Sequence, residues 1–508
     1  MQIQFGKLSL NLNLSLKFNA NRRCIRLGAT GIIIGLWMIA MNVTNGQAHV
    51  QSTTYQWPTD TLVLQKLHKW QGEKFGLLMH WGTYSEWGIV ESWSLCPEDE
   101  GWTKRTGPYA NDYFTYKKAY ENLQTKFNPV QFNPDKWAKA AREAGMKYVV
   151  FTTKHHDGFC MFDTHQTDYK VTSSKTPFSK NPKSNIAKEI FKSFRSQGFM
   201  IGAYFSKPDW HSPDYWWPYF PPKDRNVNYD PAKYPKRWAA FKDYTYAQIK
   251  ELMTEYGRMD ILWLDGGWVR PHTKVEQEKT GVYNQDIDMP RIAAMARKHQ
   301  PGLLVVDRSV AGKYENYQTP EQTVPTEPLD HPWESCITMG NSWSYVPGDH
   351  YKSTNTLIHL LVRIVSRGGN LLLNIGPSPL GDWSDTAYQR LTEIGAWMQV
   401  NGTSIYDSKP LAPYGQGNLV YTASEDGKSK YVFLLSGDST DQVSLPDHLQ
   451  LPTGLLDGRH EISVLGYPDI KVQTDVKSGL LKFNKKSINT MQGKTKYALV
   501  IKLTGPEK

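Results

Sequence analysis

Several side chains suited to chemistry fall at or just beyond the ends of short apolar runs. The run Ile261–Leu264 ends in Asp265 and two glycines, as ILWLDGG, with Trp263 two residues before the acid. FGLLMHWG ends near His80, YVVFTTKHHDGF carries the adjacent His155 and His156, and VVDRS carries Arg308. Continuous apolar runs of this length read as parallel strands covered on both faces. The carboxyl ends of such strands are where βα loops assemble active sites. Asp-Gly-Gly is also ordinary turn chemistry, so Asp265 alone divides evenly between the two readings. Histidines on successive strand ends, beside an Asp, an Arg and tryptophans, favour a site. Three histidines and an acid could instead bind zinc. However, neighbouring residues in strand geometry point to opposite faces, which would separate His155 from His156. Neither HxH nor HExxH occurs, so no metal and no cofactor is expected.

The elements that must position these groups alternate. Candidate strands are Phe75–Trp81, Tyr148–Lys154, Met200–Ser206, Asp260–Asp265, Leu303–Arg308, Cys336–Met339 and Asn370–Ile375. Helical periodicity covers Pro134–Met146, Asn185–Gly198, Tyr234–Gly257, Ile287–His299, Thr354–Ser366 and Asp385–Val400. Ile186, Ile190, Phe191 and Phe194 share one helical face, and Gly198 follows as a stop. Repeated βα units over residues 55–405 predict an α/β fold of the (β/α)8-barrel type. A doubly wound open sheet is the alternative, and no glycine-rich nucleotide fingerprint follows any strand. After NGTSIYDSKP the pattern changes to strand-like runs at Leu419–Ala423, Lys430–Leu435, Glu461–Leu465 and Tyr497–Leu503, separated by Gly, Asp, Pro and Ser. Residues 410–508 therefore read as a C-terminal antiparallel β-sandwich.

The amino terminus has the order of a secretory signal peptide over residues 1–48: basic residues, an apolar run from Leu27 to Val43, then small residues near Gly46 and Ala48. The segment carries five basic and no acidic residues, so the formal charge of +10 falls to +5 without it. That balance, with no basic block, argues against nucleic acid. Cys96, Cys160 and Cys336 form neither a metal motif nor a disulfide framework. Beyond the leader no apolar run is long enough to span a bilayer. An exported protein, periplasmic or secreted, is expected, with oligomeric state open. The 18 Trp and 28 Tyr supply flat rings with a polar handle, frequent where partly apolar ligands such as sugars bind.

Taken in order, KFGLLMHWGTYSEWG, ESW, YVVFTTKHHDGF, DILWLDGG, TPEQ, NSWSY and GGNLLLNIGP resemble the α-L-fucosidases of glycoside hydrolase family 29, from about Tyr55 to Tyr406. The resemblance implies a retaining exo-glycosidase acting on a fucosylated oligosaccharide or glycoconjugate. It implies Asp265 as nucleophile, with the following glycines leaving room for the anomeric carbon. Glu321 is the implied general acid/base, ahead of Glu334 and then Glu91. A retaining pair of carboxyl groups stands about 5–5.5 Å apart. The same resemblance implies that His80, His155 and His156 bond sugar hydroxyls and that Trp263 lies beside the nucleophile. It makes Trp93 a pocket wall, lets Arg308 bind a hydroxyl or steady a carboxylate, and packs Trp343 on the C5 methyl. Ser92, between Glu91 and Trp93, departs from the family pattern. The insert DWHSPDYWWPYFPP is expected to wall the aglycone and favour α-1,3/1,4-linked branched oligosaccharides. A related exo-glycosidase for another sugar and a catalytically silent fucose-binding protein remain as alternatives.

Overall fold

The computed structural model describes residues 55–99, 101, 103–456 and 460–505; the leader predicted over residues 1–48 lies outside them. Seven parallel strands form one curled sheet: β1 Phe75–Met79, β2 Tyr148–Lys154, β3 Met200–Ser206, β4 Ile261–Asp265, β5 Leu304–Asp307, β6 Glu334–Thr338 and β7 Asn370–Asn374. Their order is β5-β4-β3-β2-β1-β7-β6. Every residue of all seven is buried, as strands flanked by helices on one side and a packed interior on the other must be. Between β5 and β6 the wall is completed by residues 314–322. Glu315 bridges antiparallel to Val306, while Gln318 and Glu321 bridge parallel to Trp333 and Cys336. An irregular segment thus stands where an eighth strand would.

Alternation along each strand sorts side chains between two cores. Leu78, Tyr148, Val150, Tyr204, Ile261, Trp263, Leu304, Val306, Cys336 and Leu372 pack together inside the barrel. Their neighbours, among them Leu77, Val149, Phe151, Ala203, Leu262, Leu264, Val305 and Leu373, join the outer core, as period-two geometry requires. The interior is plugged by a helix that the sequence reading passes over, Thr61–Glu73, whose Val63, Leu67 and Trp70 enter the inner cluster. Asp60 caps it by accepting from the backbone of Leu62 and Val63. Two further helices outside the expected set, Tyr113–Glu121 and Lys274–Thr280, lie in the long loops after β1 and β4. The β6 strand begins two residues earlier than expected, at Glu334, whose N–H donates to the Gln318 carbonyl.

The carboxyl-terminal part is antiparallel, with a five-stranded and a three-stranded sheet. In the larger sheet, Val420, Phe433, Leu435 and Val500 join the outer barrel core. Tyr421, Val432, Leu434, Leu499, Ile501 and Leu503 build a separate core against the smaller sheet. The large sheet is therefore covered on both faces. Trp397 Nε1 donates to the Ala498 carbonyl (3.0 Å), tying the last barrel helix, Asp385–Asn401, to the sandwich.

Candidate active site

Asp265 is the last residue of β4 and, with Trp263, points into the barrel at its carboxyl-terminal mouth. Three donors converge on its carboxylate. Tyr204 OH gives one at 2.6 Å, the Gly266 N–H one at 2.8 Å, and Arg308 Nη1 one at 3.2 Å. The two following glycines serve the scaffold. Gly266 has φ +89°, and a Cβ there would meet Pro208 Cδ at 2.3 Å; one at Gly267 would meet the Arg308 carbonyl at 2.8 Å. Their close approach lets the loops after β3 and β5 pack against the end of β4.

Arg308, immediately after β5, links the two carboxylates expected to pair. Nη1 bonds Asp265, Nη2 bonds Glu321 at 2.5 Å, and Nε bonds Thr319 Oγ1 at 3.1 Å. Burial opposes the guanidinium's charge, but the adjacent Glu321, Cys336 and Asp265 raise its pKa well above the usual value. Its planar fork also lies 5.0 Å from the Trp263 ring, the arrangement that Arg favours over Lys. Glu321 reaches the mouth because Pro320 and Gln322 exchange backbone bonds with Cys336 of β6.

The histidines are held by their rear nitrogens. Asn374 Nδ2 donates to the Trp343 carbonyl (2.6 Å), so its Oδ1 is the acceptor facing His80 Nδ1 (2.9 Å). His80 is therefore protonated on Nδ1. Burial depresses its pKa to about 4, leaving Nε2 as a lone-pair acceptor. Ser206 Oγ donates to the Pro208 carbonyl (2.7 Å) and so accepts from His156 Nδ1 (2.6 Å). His155 Nδ1 meets Ser92 Oγ at 2.6 Å, and burial drives its pKa well below normal. The pair does not splay to opposite faces: β2 ends at Lys154, the chain turns, and the rings tilt together at 4.2 Å. His155, His156 and Asp265 offer ligand atoms within 4.8 Å of one another, a spacing that strand geometry would have forbidden. Positive charge at this point is supplied by Arg308.

Ser92 between Glu91 and Trp93 also has a structural use. Glu91 adopts φ +29°, an uncommon conformation for a non-glycine residue. Glu91 and Trp93 both line the cavity, while Ser92 turns to His155. Glu91 Oε1 accepts from the Ser344 N–H at 2.7 Å. Burial raises its carboxyl pKa to about 8. Trp93 stands edge-on to His156 at 4.9 Å, and Trp343 leans on His80 at 5.2 Å.

A small cavity lies at this mouth. It brings together His80, Glu91, Trp93, His155, Trp263, Asp265, Arg308, Glu321 and Trp343, with Leu78, Tyr204 and Cys336 added. His156 stands beside it, 3.8 Å from Asp265. Glu334 is not among the lining residues. It is the first residue of β6, at the end of that strand away from the mouth. There it accepts from Tyr148 OH (2.7 Å) and Trp263 Nε1 (3.3 Å). Tyr204 lies mid-strand, at an inward position of Met200–Ser206, and so carries no strand-end signal in the sequence. The aromatic insert contributes no residue to the lining of this cavity. Trp210, Tyr215 and Trp216 are buried, with Trp210 stacked on Trp216 at 4.9 Å and edge-on to Trp93 at 5.5 Å. They back the wall instead of forming it.

A parallel barrel that gathers paired carboxylates, a guanidinium and aromatic rings around a small cavity at its carboxyl-terminal mouth defines the class of barrel glycoside hydrolases. The sequence model described as Alpha-L-fucosidase matches residues 42–403. The tissue alpha-L-fucosidase of Bos taurus is 28% identical over 476 residues, covering 89% of this chain and 91% of that one. The plasma alpha-L-fucosidase of Homo sapiens is 27% identical over 428 residues, covering 80% and 83%. Among solved structures, alpha-L-fucosidase isoenzyme 1 from Paenibacillus thiaminolyticus superposes with a TM-score of 0.67 at 31% identity, over 88% of this chain and all of that one. A Bacteroides thetaiotaomicron α-L-fucosidase of family 29, a trapped covalent intermediate, shares the fold with a TM-score of 0.65 at 23% identity, over 90% and 99%. The chain belongs to the α-L-fucosidase family, glycoside hydrolase family 29, and is a fucosidase.

Proposed function

We propose that the enzyme releases terminal α-L-fucose with retention of configuration, by double displacement through a fucosyl ester on Asp265. The observation that carries this reading is Arg308, whose single guanidinium holds both Asp265 and Glu321 at the cavity. In the first step an Asp265 oxygen bonds to C1 while Glu321 gives its proton to the departing glycosidic oxygen. In the second, water attacks C1, Glu321 takes the water's proton, and the Asp265 ester bond breaks. His80 Nε2 accepts a bond from one fucose hydroxyl, and His155 and His156 bind others. Trp93, Trp263 and Trp343 supply the apolar wall that suits a sugar with a methyl in place of a hydroxymethyl group. The covalent intermediate named for the Bacteroides relative supports the same chemistry here.

A second assignment of the proton donor has its own observation. Glu91 lines the cavity, and burial keeps its carboxyl protonated up to about pH 8, the state a general acid requires. Glu321, ion-paired to Arg308, must gain its proton as substrate displaces that contact. Kinetics of Glu321→Ala and Glu91→Ala with added azide separate them. The true acid/base variant keeps activity on substrates with good leaving groups and yields an α-configured fucosyl azide.

The preferred substrates are α-1,3/1,4-linked branched oligosaccharides. Residues 55–405 act as the catalytic unit, residues 410–508 as a bracing sandwich, and the leader directs export to the periplasm or medium. No helix among the described residues is long and apolar enough to cross a membrane. Following hydrolysis of matched fucosides and galactosides by proton NMR tests the reading. Initial release of α-fucose supports it. Initial β-fucose, or equal release of galactose, overturns it.

A further inference from the structure

Two of the donors that converge on Asp265 come from the strands on either side of β4, Tyr204 from β3 and Arg308 from just after β5. On the opposite face of the sheet the same two strand ends are joined by a second contact. Lys207, directly after β3, and Asp307, the last residue of β5, form an ion pair with Nζ 2.5 Å from Oδ1. Phe205 and Val305, two residues before them, belong to the outer core, so alternation turns both charged side chains outward. The pair crosses behind the end of β4. Asp307 is in register with Leu264, and the Lys207 N–H donates to the Asp265 carbonyl at 2.9 Å. Both side chains are buried, at 0% and 4% exposure.

A buried ion pair is a weak source of stability, because taking two charges out of water offsets most of their attraction. Burial raises the Asp307 carboxyl pKa even with Lys207 pulling it down. The placement of the pair, however, is that of a tie, since each member adjoins a group of the site. Asp307 precedes Arg308, whose N–H donates to the Leu264 carbonyl at 3.1 Å and whose fork holds Asp265 and Glu321. Lys207 stands between Ser206, which accepts from His156, and Pro208, whose ring a Cβ on Gly266 would meet at 2.3 Å. A shift of either strand end would move Arg308 or His156 relative to Asp265. Misplacement of reacting groups by about 1 Å can cost about 10²-fold in rate, even when its cause lies away from the chemistry.

We propose that Lys207 and Asp307 are positioning residues, a tie behind the sheet that holds β3 and β5 at the spacing where Tyr204 and Arg308 both reach Asp265. This goes beyond the function proposed above and rests on its nucleophile. The test replaces the pair by apolar side chains, Lys207→Met with Asp307→Leu, beside the isosteric Asp307→Asn. Kinetics on an aryl α-L-fucoside, melting temperature and hydrogen exchange by mass spectrometry are measured for each. The double variant should melt no lower than wild type. Its kcat should fall by about 10–10²-fold with KM within about threefold. A kcat within about threefold of wild type, or a KM that rises as much as kcat falls, overturns the tie. A double variant that melts lower or does not fold passes the decision to Asp307→Asn, by the same kinetic criteria. Wild type without fucosidase activity, or Asp265→Ala with undiminished rate, would sink the function instead. The tie is then judged by exchange alone. The amides of Lys207 and Arg308 should exchange at least about tenfold faster in the variants while those of β1 and β7 stay as in wild type. Equal exchange in variants and wild type overturns it.

Discussion

Two places in one barrel bury carboxyl groups and treat them differently. At the mouth, Asp265 and Glu321 sit on the two arms of Arg308, and Asp265 also collects donors from Tyr204 and Gly266. At the other end of β6, Glu334 is wholly buried with Tyr148 and Trp263 as donors, and desolvation lifts its pKa to about 8. Two neutral donors and the more distant charge of Arg308 lower that value without offsetting burial. The comparison shows that burial beside neutral donors lifts the carboxyl pKa of Glu334, whereas the mouth sets its two carboxyl groups in contact with a guanidinium, the partner that a buried negative charge requires.

The largest test removes the mouth acid. Asp265→Ala should lower kcat/KM by about 10⁴-fold or more. Added azide should restore part of the rate and release a fucosyl azide of β configuration, identified by NMR. Next, Arg308→Lys keeps the charge but loses the fork, since Lys presents a compact ammonium. A fall in kcat of about 10²–10³-fold is expected, with a folded circular dichroism spectrum; near-normal kcat would dissolve the contrast. Glu321→Ala should cost about 10²–10⁴-fold on poor leaving groups and far less on activated aryl fucosides.

Glu334→Gln probes the other side of the comparison and should leave kcat within about threefold, being remote from the reacting atoms. Its effect is on stability against pH. The folded pKa is raised, so between the ordinary carboxyl range and about pH 8 the native state holds a proton that the unfolded state has lost. Stability from this group is full at acid pH and declines as pH rises through 8, by at most about 1.4 kcal/mol per unit. The melting temperature of Glu334→Gln should therefore gain on wild type as pH rises and level off above about 8. The smallest effect has the opposite sign. His80, depressed to about 4, contributes stability above its ordinary range that is lost as pH falls through 4. The acid limb of the melting profile should be shallower in His80→Asn.

Much of the frame was readable along the chain. Tyr148–Lys154 and Met200–Ser206 are the same in sequence and structure because each is a buried run with polar residues at one end. The order of strand-end groups placed His80, His155, Asp265 and Arg308 at one mouth, where the cavity joins them. Three things were not readable. Glu334 resembles Glu321 locally, and only the register of β6 against β7, pairing Glu334 with Asn370, sets it at the far end. The pairing of His155 with His156 depended on a turn after Lys154 that period-two reasoning excludes. Trp210 and Trp216 of the insert are buried, Trp210 edge-on to Trp93, a contact between residues distant in sequence.

What the sequence by itself determined is the alternation of apolar strands and amphipathic helices, and with it the list of groups delivered to strand ends; both follow from short-range periodicity. What only the tertiary structure decided is each group's protonation state and partner. Whether a buried carboxyl meets the guanidinium of Arg308 or the phenol of Tyr148 depends on charges and donors brought within a few ångströms by chain closure. Electrostatic energy varies steeply over that distance.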